Sequence, residues 1–92
     1  GNIIPDGYFL LQNYPNPFNP FTEILFSIPE LTNVTIKIYN LLGEKSVTLS
    51  DQVRSAGNHK VIWNAFDFPS GIYYYQLVTE KIRISRKMVL IK

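Results

Sequence analysis

The chain has 92 residues, no cysteine and a single histidine, His59. Without cysteine there is no disulfide framework and no thiolate nucleophile. One imidazole and no thiolate do not make the nitrogen and sulfur donor set of a transition-metal site. No glycine-rich loop has the spacing that cradles phosphates, so nucleotide binding has no support. No apolar run approaches the roughly 20 residues of a membrane-spanning helix, and no membrane insertion is expected. Gly1 to Leu10 has neither a basic start nor a long apolar run, so it does not read as a signal peptide. If the protein is secreted, its export signal is expected upstream in a longer parent chain. The net charge of +2 is too small by itself to imply nucleic acid or another polyanion as partner.

Catalytic arrangements are equally thin. The seven acidic residues are scattered and mostly fall at expected turns, so no pair is set across a cleft for glycoside hydrolysis. No serine is flanked by nucleophile-elbow glycines. His59 is in phase with Val61 and Trp63 at the start of a strand, where a backbone carbonyl or water is expected to satisfy it. Asn13, Asn16, Asn19, Asp51 and Asp67 are the oxygen donors a calcium ion could use, but they lack EF-hand spacing. The expectation is a protein that is not an enzyme and carries no metal or cofactor.

What the chain does have is aromatic residues, 14% of the total, within an apolar fraction of 46% that is ordinary for a globular domain. Its length is that of one domain, able to bury about 60–65% of its unfolded surface. The most constrained stretch is Asn13-Tyr14-Pro15-Asn16-Pro17-Phe18-Asn19-Pro20. Each proline lacks an N–H and fixes its own φ, and each biases the residue before it toward extended backbone. Neither a helix nor a central strand tolerates three of them. The reading is a rigid, extended lead-in to a folded domain, with Tyr14 and Phe18 as its two buried anchors. Residues 1–7 read as a linker remnant.

Beyond it, apolar residues recur at every second position. Tyr8 to Gln12 reads as an edge strand. Ile24, Phe26 and Ile28 share one face of a strand from Thr22 to Ile28, and Val34, Ile36 and Ile38 one face of the next. Asn40 to Glu44 is a connection in which Gly43 takes positive φ. Lys45 to Leu49 follows as a strand with Val47 and Leu49 inward, and Ser50 to Asn58 reads as a polar loop. His59, Val61 and Trp63 line another strand. Tyr73, Tyr75 and Leu77 line the next, with Tyr39 and Tyr74 left for the surface. Glu80-Lys81 is a turn, and the last strand runs from Ile82 to Ile91 with a bend near Ser85. About seven strands at spacings of roughly 8–12 residues and no helical window predict an all-β, antiparallel sandwich.

Five of the nine basic residues, Lys81, Arg83, Arg86, Lys87 and Lys92, fall in the last twelve positions. One reading is a charged edge that discourages aggregation. The other is a recognition strand offered to a partner by strand addition or terminal capture.

These pieces together resemble a known family. The order is the octapeptide, then Thr22-Glu23-Ile24-Leu25-Phe26-Ser27-Ile28-Pro29, Val34 to Gly43, Ala56-Gly57-Asn58-His59 and Trp63-Asn64-Ala65. Ser70-Gly71-Ile72-Tyr73 and Lys87-Met88-Val89-Leu90-Ile91-Lys92 complete it. From about Ile4 to Lys92 the chain is similar to the type A C-terminal sorting domain of type IX (Por) secretion. The resemblance implies an Ig-like β-sandwich at the end of a secreted cargo protein. That protein would be carried through the periplasm and outer membrane to the cell surface or beyond by the type IX translocon. It also implies a sortase-like peptidase as a further partner, and a signal in the final strand at Lys87, Met88, Leu90 and Lys92. Flagellar hook-capping proteins carry a similar Ig-like module. The alternative function is an adhesion or carbohydrate-binding sandwich using Tyr39 and Tyr74.

Overall fold

A computed structural model describes residues 6–92. Seven antiparallel strands form two sheets: β1 (Phe9–Leu10), β2 (Phe21–Ile28), β3 (Thr32–Asn40), β4 (Lys45–Arg54), β5 (Gly57–Asn64), β6 (Gly71–Val78) and β7 (Arg83–Leu90). One sheet has the order β1-β2-β5 and the other β4-β3-β6-β7. The expected all-β sandwich, Ig-like in character, is the architecture observed. The expectations for residues 1–5, including most of the linker remnant, lie outside the described residues.

Period-two patterning sets which side of each strand is buried. Ile24, Phe26 and Ile28 of β2, Val34, Ile36 and Ile38 of β3, and Tyr73, Tyr75 and Leu77 of β6 all point between the sheets. Trp63 of β5 is the hub of an aromatic cluster, with ring centroids 5.7 Å from Phe18, 5.1 Å from Phe68 and 5.3 Å from Tyr73. The tilted and edge-on arrangements match the positive ring edge to the negative ring face.

The β3–β4 hairpin closes as its turn chemistry requires. Gly43 has φ 84°, and the Asn40 side-chain oxygen accepts from the N–H groups of Leu42 and Glu44. Two expectations fail in this part of the chain. Ser50 to Arg54 is no loop: β4 continues to Arg54, pairing Asp51 with Thr35 and Arg54 with Thr32, and the connection shrinks to Ser55-Ala56. An edge strand keeps its ladder with polar residues on its outer face, so the loss of apolar alternation did not end it. The bend expected near Ser85 is also absent, since β6 and β7 pair without interruption from Gly71↔Leu90 to Val78↔Arg83.

One corner of the sandwich is fastened by charge. The Glu30 carboxylate accepts from Tyr8 at 3.0 Å and lies 2.6 Å from the Lys81 ammonium. The hydrogen bond from Lys81, then that from Tyr8, hold the Glu30 carboxyl below the usual carboxylate range, and Glu30 raises Lys81 in turn. A lowered folded pKa stabilises at pH above the unfolded value, and the benefit is lost as pH falls through the folded value. Glu30→Gln should therefore be slightly less stable than the parent at neutral pH, because the pair is half exposed. The two stability curves should converge on acidification. Urea melts across an acid series would show this, and parallel curves would mean the pair contributes nothing.

Candidate functional site: the C-terminal strand and its clasp

The four residues expected to carry recognition lie on or just beyond β7 and point in different directions. Met88 and Leu90 are buried in the core. Lys87 is exposed on the outer face of the four-stranded sheet, directly across from Tyr74. Lys92 follows the strand. Its backbone N–H donates to Ser70 Oγ at 2.9 Å, and its ammonium donates to Phe66 O and lies over the Phe66 ring, 5.5 Å from the centroid. The strand thus offers charge to solvent at Lys87 and anchors itself through Met88, Leu90 and Lys92.

β7 is an edge strand, and half of that edge is covered by the proline-rich segment. Phe18 runs parallel to Leu90, donating from its N–H to Val89 O and accepting from Ile91 N–H, both at 3.0 Å. Asn16 Oδ1 accepts from Val89 N–H at 3.0 Å, and Gln12 Nε2 donates to Lys87 O at 2.8 Å. Three prolines cannot supply a regular ladder, so two side-chain amides stand in for missing backbone groups. The stretch most distinctive in the sequence and the strand with the basic cluster are one structural unit, although about 70 residues separate them in the chain.

The anchors of the segment are partly those expected. Phe18 is 3% exposed, packed on Trp63. Tyr14 is 74% exposed, which overturns its expected burial. Its backbone bridges Glu23, donating at 3.0 Å and accepting at 2.8 Å, and this sends its side chain outward. The inward position belongs to Asn13, 2% exposed. The Asn13 amide donates to Thr22 Oγ1 at 2.9 Å and Pro15 O at 3.2 Å, and its backbone N–H donates to the Tyr75 hydroxyl at 2.8 Å. Tyr75 in turn donates to Leu11 O at 2.7 Å. Burial, the largest influence, pushes the Tyr75 hydroxyl above its usual range, so it stays a donor at physiological pH. A buried polar knot, fully bonded, replaces the second aromatic anchor.

Elsewhere the side chains do ordinary work. His59 Nε2 meets Ser55 O at 2.7 Å, and its ring stacks on Phe26 with centroids 5.4 Å apart. Tyr39 and Tyr74 face each other across β3 and β6 on the outer surface. The outer face of the three-stranded sheet exposes Phe9, Leu11, Phe21, Leu25 and Ile62 beside Tyr14. A shallow cleft of about 340 Å³ opens there between Tyr14, Phe21 and Ile62. No signal in the sequence pointed to this face, because each strand contributes only one or two of its residues. Among the described residues, no three His, Asp or Glu side chains converge on a point where a metal ion could sit.

The fold is thus a small antiparallel sandwich with a basic edge strand under a proline-rich clasp. The chain belongs to the secretion system C-terminal sorting domain family, whose model matches residues 12–92. A search of curated proteins returned no match. The domain is therefore a sorting signal for type IX secretion, attached to an upstream cargo domain. The protein bearing it is exported through the outer membrane to the surface or the medium. The alternative of an adhesion or carbohydrate-binding module gains nothing from this match.

Proposed function

We propose that the type IX machinery reads this domain at β7, without catalysis by the domain itself, and that Lys87 and Lys92 supply the charge it reads. Met88 and Leu90 serve that recognition from inside, fixing the strand's register in the core. A sortase-like peptidase is the further proposed partner, acting on the chain that leads into the sandwich. The observation that carries the reading is the placement of Lys87. Of the four residues, it alone joins an exposed side chain to a position in the middle of an edge strand whose neighbours are locked. The test fuses residues 1–92 behind a signal peptide and a fluorescent reporter in a type IX-competent host. Lys87→Glu, alone and with Lys92→Glu, should lower export at least about tenfold, a change on the order of 1.4 kcal/mol in the recognition step. The melting temperature of Lys87→Glu should stay within a few degrees, because solvent-face substitutions rarely alter stability, whereas Lys92→Glu also gives up the ammonium's contacts with Phe66 and its export is read beside its own melt. Export at the parent level in both variants would overturn the assignment of recognition to these lysines.

A further inference from the structure

The clasp covers only half of β7. Thr79 N–H donates to Ile82 O across the turn, and Val89 spends its N–H and C=O on Asn16 and Phe18. Alternation in an antiparallel ladder then assigns Ile82, Ile84, Arg86, Met88 and Leu90 to β6 and turns the backbone groups of Arg83, Ser85, Lys87 and Val89 outward. Val89 and the Lys87 carbonyl are covered, Lys87 O by Gln12 Nε2. No hydrogen bond from a described residue reaches the outward N–H and C=O of Arg83 and Ser85 or the Lys87 N–H. A row of donors and acceptors one short strand long is left open beside a closed one.

The three other sheet edges differ from it. The β3–β4 pairing shifts register between Ile36 and Lys37 and again between Ile38 and Tyr39, which twists the β4 edge away from regular pairing. On β5 the one basic side chain, Lys60, is engaged by Glu23 at 3.5 Å. On β1, Leu10 O accepts from Arg86 Nε. The open half of β7 is regular, holds no proline or glycine, and has exposed Arg83 and Lys87 on either side of the small Ser85. Among the described residues, neither cation lies within ion-pair reach of an acidic group. Charges on an edge guard against self-association. A second copy pairing antiparallel about Ser85 would set Arg83 against Lys87 twice, like charge on like. An acidic strand meets the reverse situation at the same two positions.

We propose that the Arg83–Lys87 edge of β7 is a strand-addition site for an extended acidic segment of a partner protein. Main-chain hydrogen bonds to Arg83, Ser85 and Lys87 give affinity, and carboxylates opposite Arg83 and Lys87 give selectivity. The inference rests on the reading that β7 is the element recognised, and it names the chemistry of what binds.

The test uses the 92-residue chain and three short acetylated, amidated peptides in which valine alternates with glutamate, lysine or threonine. Amide exchange is followed residue by residue. In the free chain the Ser85 amide should exchange fast, and those of Val89 and Ile91 slowly. The glutamate peptide should slow Ser85 and Lys87 exchange at least about tenfold, with added salt reversing much of it. The lysine peptide should leave them unchanged, with the threonine peptide between. Ser85→Pro removes one outward N–H without touching the β6 ladder and should abolish the protection. Arg83→Glu with Lys87→Glu keeps the ladder and should switch the preference to the lysine peptide. Slow Ser85 exchange in the free chain, equal response to all three peptides, or protection at β4 or β5 instead would overturn the proposal. If none of the peptides protects β7 while Lys87→Glu still blocks export, strand addition fails and the sorting assignment of Lys87 stands.

Discussion

A chain that stops at Arg86 should not fold. Removing Lys87 to Lys92 is the obvious way to ask whether a terminal strand carries a sorting signal, and the structure shows what that deletion takes with it. Met88 and Leu90 are buried in the core, and losing either class of side chain costs about 2–5 kcal/mol. The ladder from Tyr74↔Lys87 to Gly71↔Leu90 goes as well, so β6 keeps its pairing with β3 but loses its other partner along half its length. Phe18 then loses both of its backbone partners, Val89 O and Ile91 N–H. Small domains hold a net stability of about 5–15 kcal/mol, so losses of this size exhaust most of it. The expected result is no cooperative thermal transition by circular dichroism, together with loss of export. Loss of export in that chain would report an unfolded domain as readily as a missing signal, and this is why the test of recognition uses the lysine substitutions. A truncated chain that melts cooperatively within a few degrees of the parent would show that β7 is an appendage and the core closes without it.

The dependence of the core on β7 was legible in part. Alternation along Ile82, Ile84, Met88 and Leu90 marks one face of the strand as apolar, and the strand count and inward faces of β2, β3 and β6 follow from the same period. The sequence could not show that β7 shares its edge with the segment Gln12 to Phe18. That pairing is parallel, only a few residues long, and made partly by the side chains of Gln12 and Asn16, so it leaves no period in either stretch. The extension of β4 to Arg54 was hidden for a related reason: an edge strand facing water on one side can be built from Ser, Asp and Gln. Asn13 was missed because burial of a polar side chain depends on partners the sequence does not place together, here Thr22, the Pro15 carbonyl and the Tyr75 hydroxyl. Aromatic residues in a proline-rich segment invite the anchor reading, and it holds for Phe18. For Tyr14 the backbone bridge to Glu23 decides the direction of the side chain, and the hydrophobic gain of burying it does not compete.

Phe18→Ala and Tyr14→Ala should therefore part sharply. Phe18 lies within the core and contacts Trp63, so truncation removes its transfer free energy and leaves a cavity in the aromatic cluster; the expected cost is about 3–5 kcal/mol. The same residue holds the outer edge of β7 through its backbone, and a side chain that no longer fixes it in place loosens those two bonds. Amide exchange at Val89 and Ile91 should rise by more than the global loss of stability accounts for, while Met88, bonded to β6, follows the global change. Tyr14 stands in solvent with its backbone satisfied by Glu23, so Tyr14→Ala should shift stability by no more than about 0.5 kcal/mol and leave exchange on β7 unaltered. Denaturant melts of the two variants, read beside amide exchange, make the comparison. Equal destabilisation would return Tyr14 to the role of anchor. A Phe18→Ala chain with unchanged protection at Val89 and Ile91 would mean that the Asn16 and Gln12 side chains hold the edge without it. The clasp acts on β7 through Phe18 because that residue alone joins core burial to backbone pairing with the strand. Whatever releases Phe18 from Trp63 also frees the covered half of the edge, next to the half that is already open.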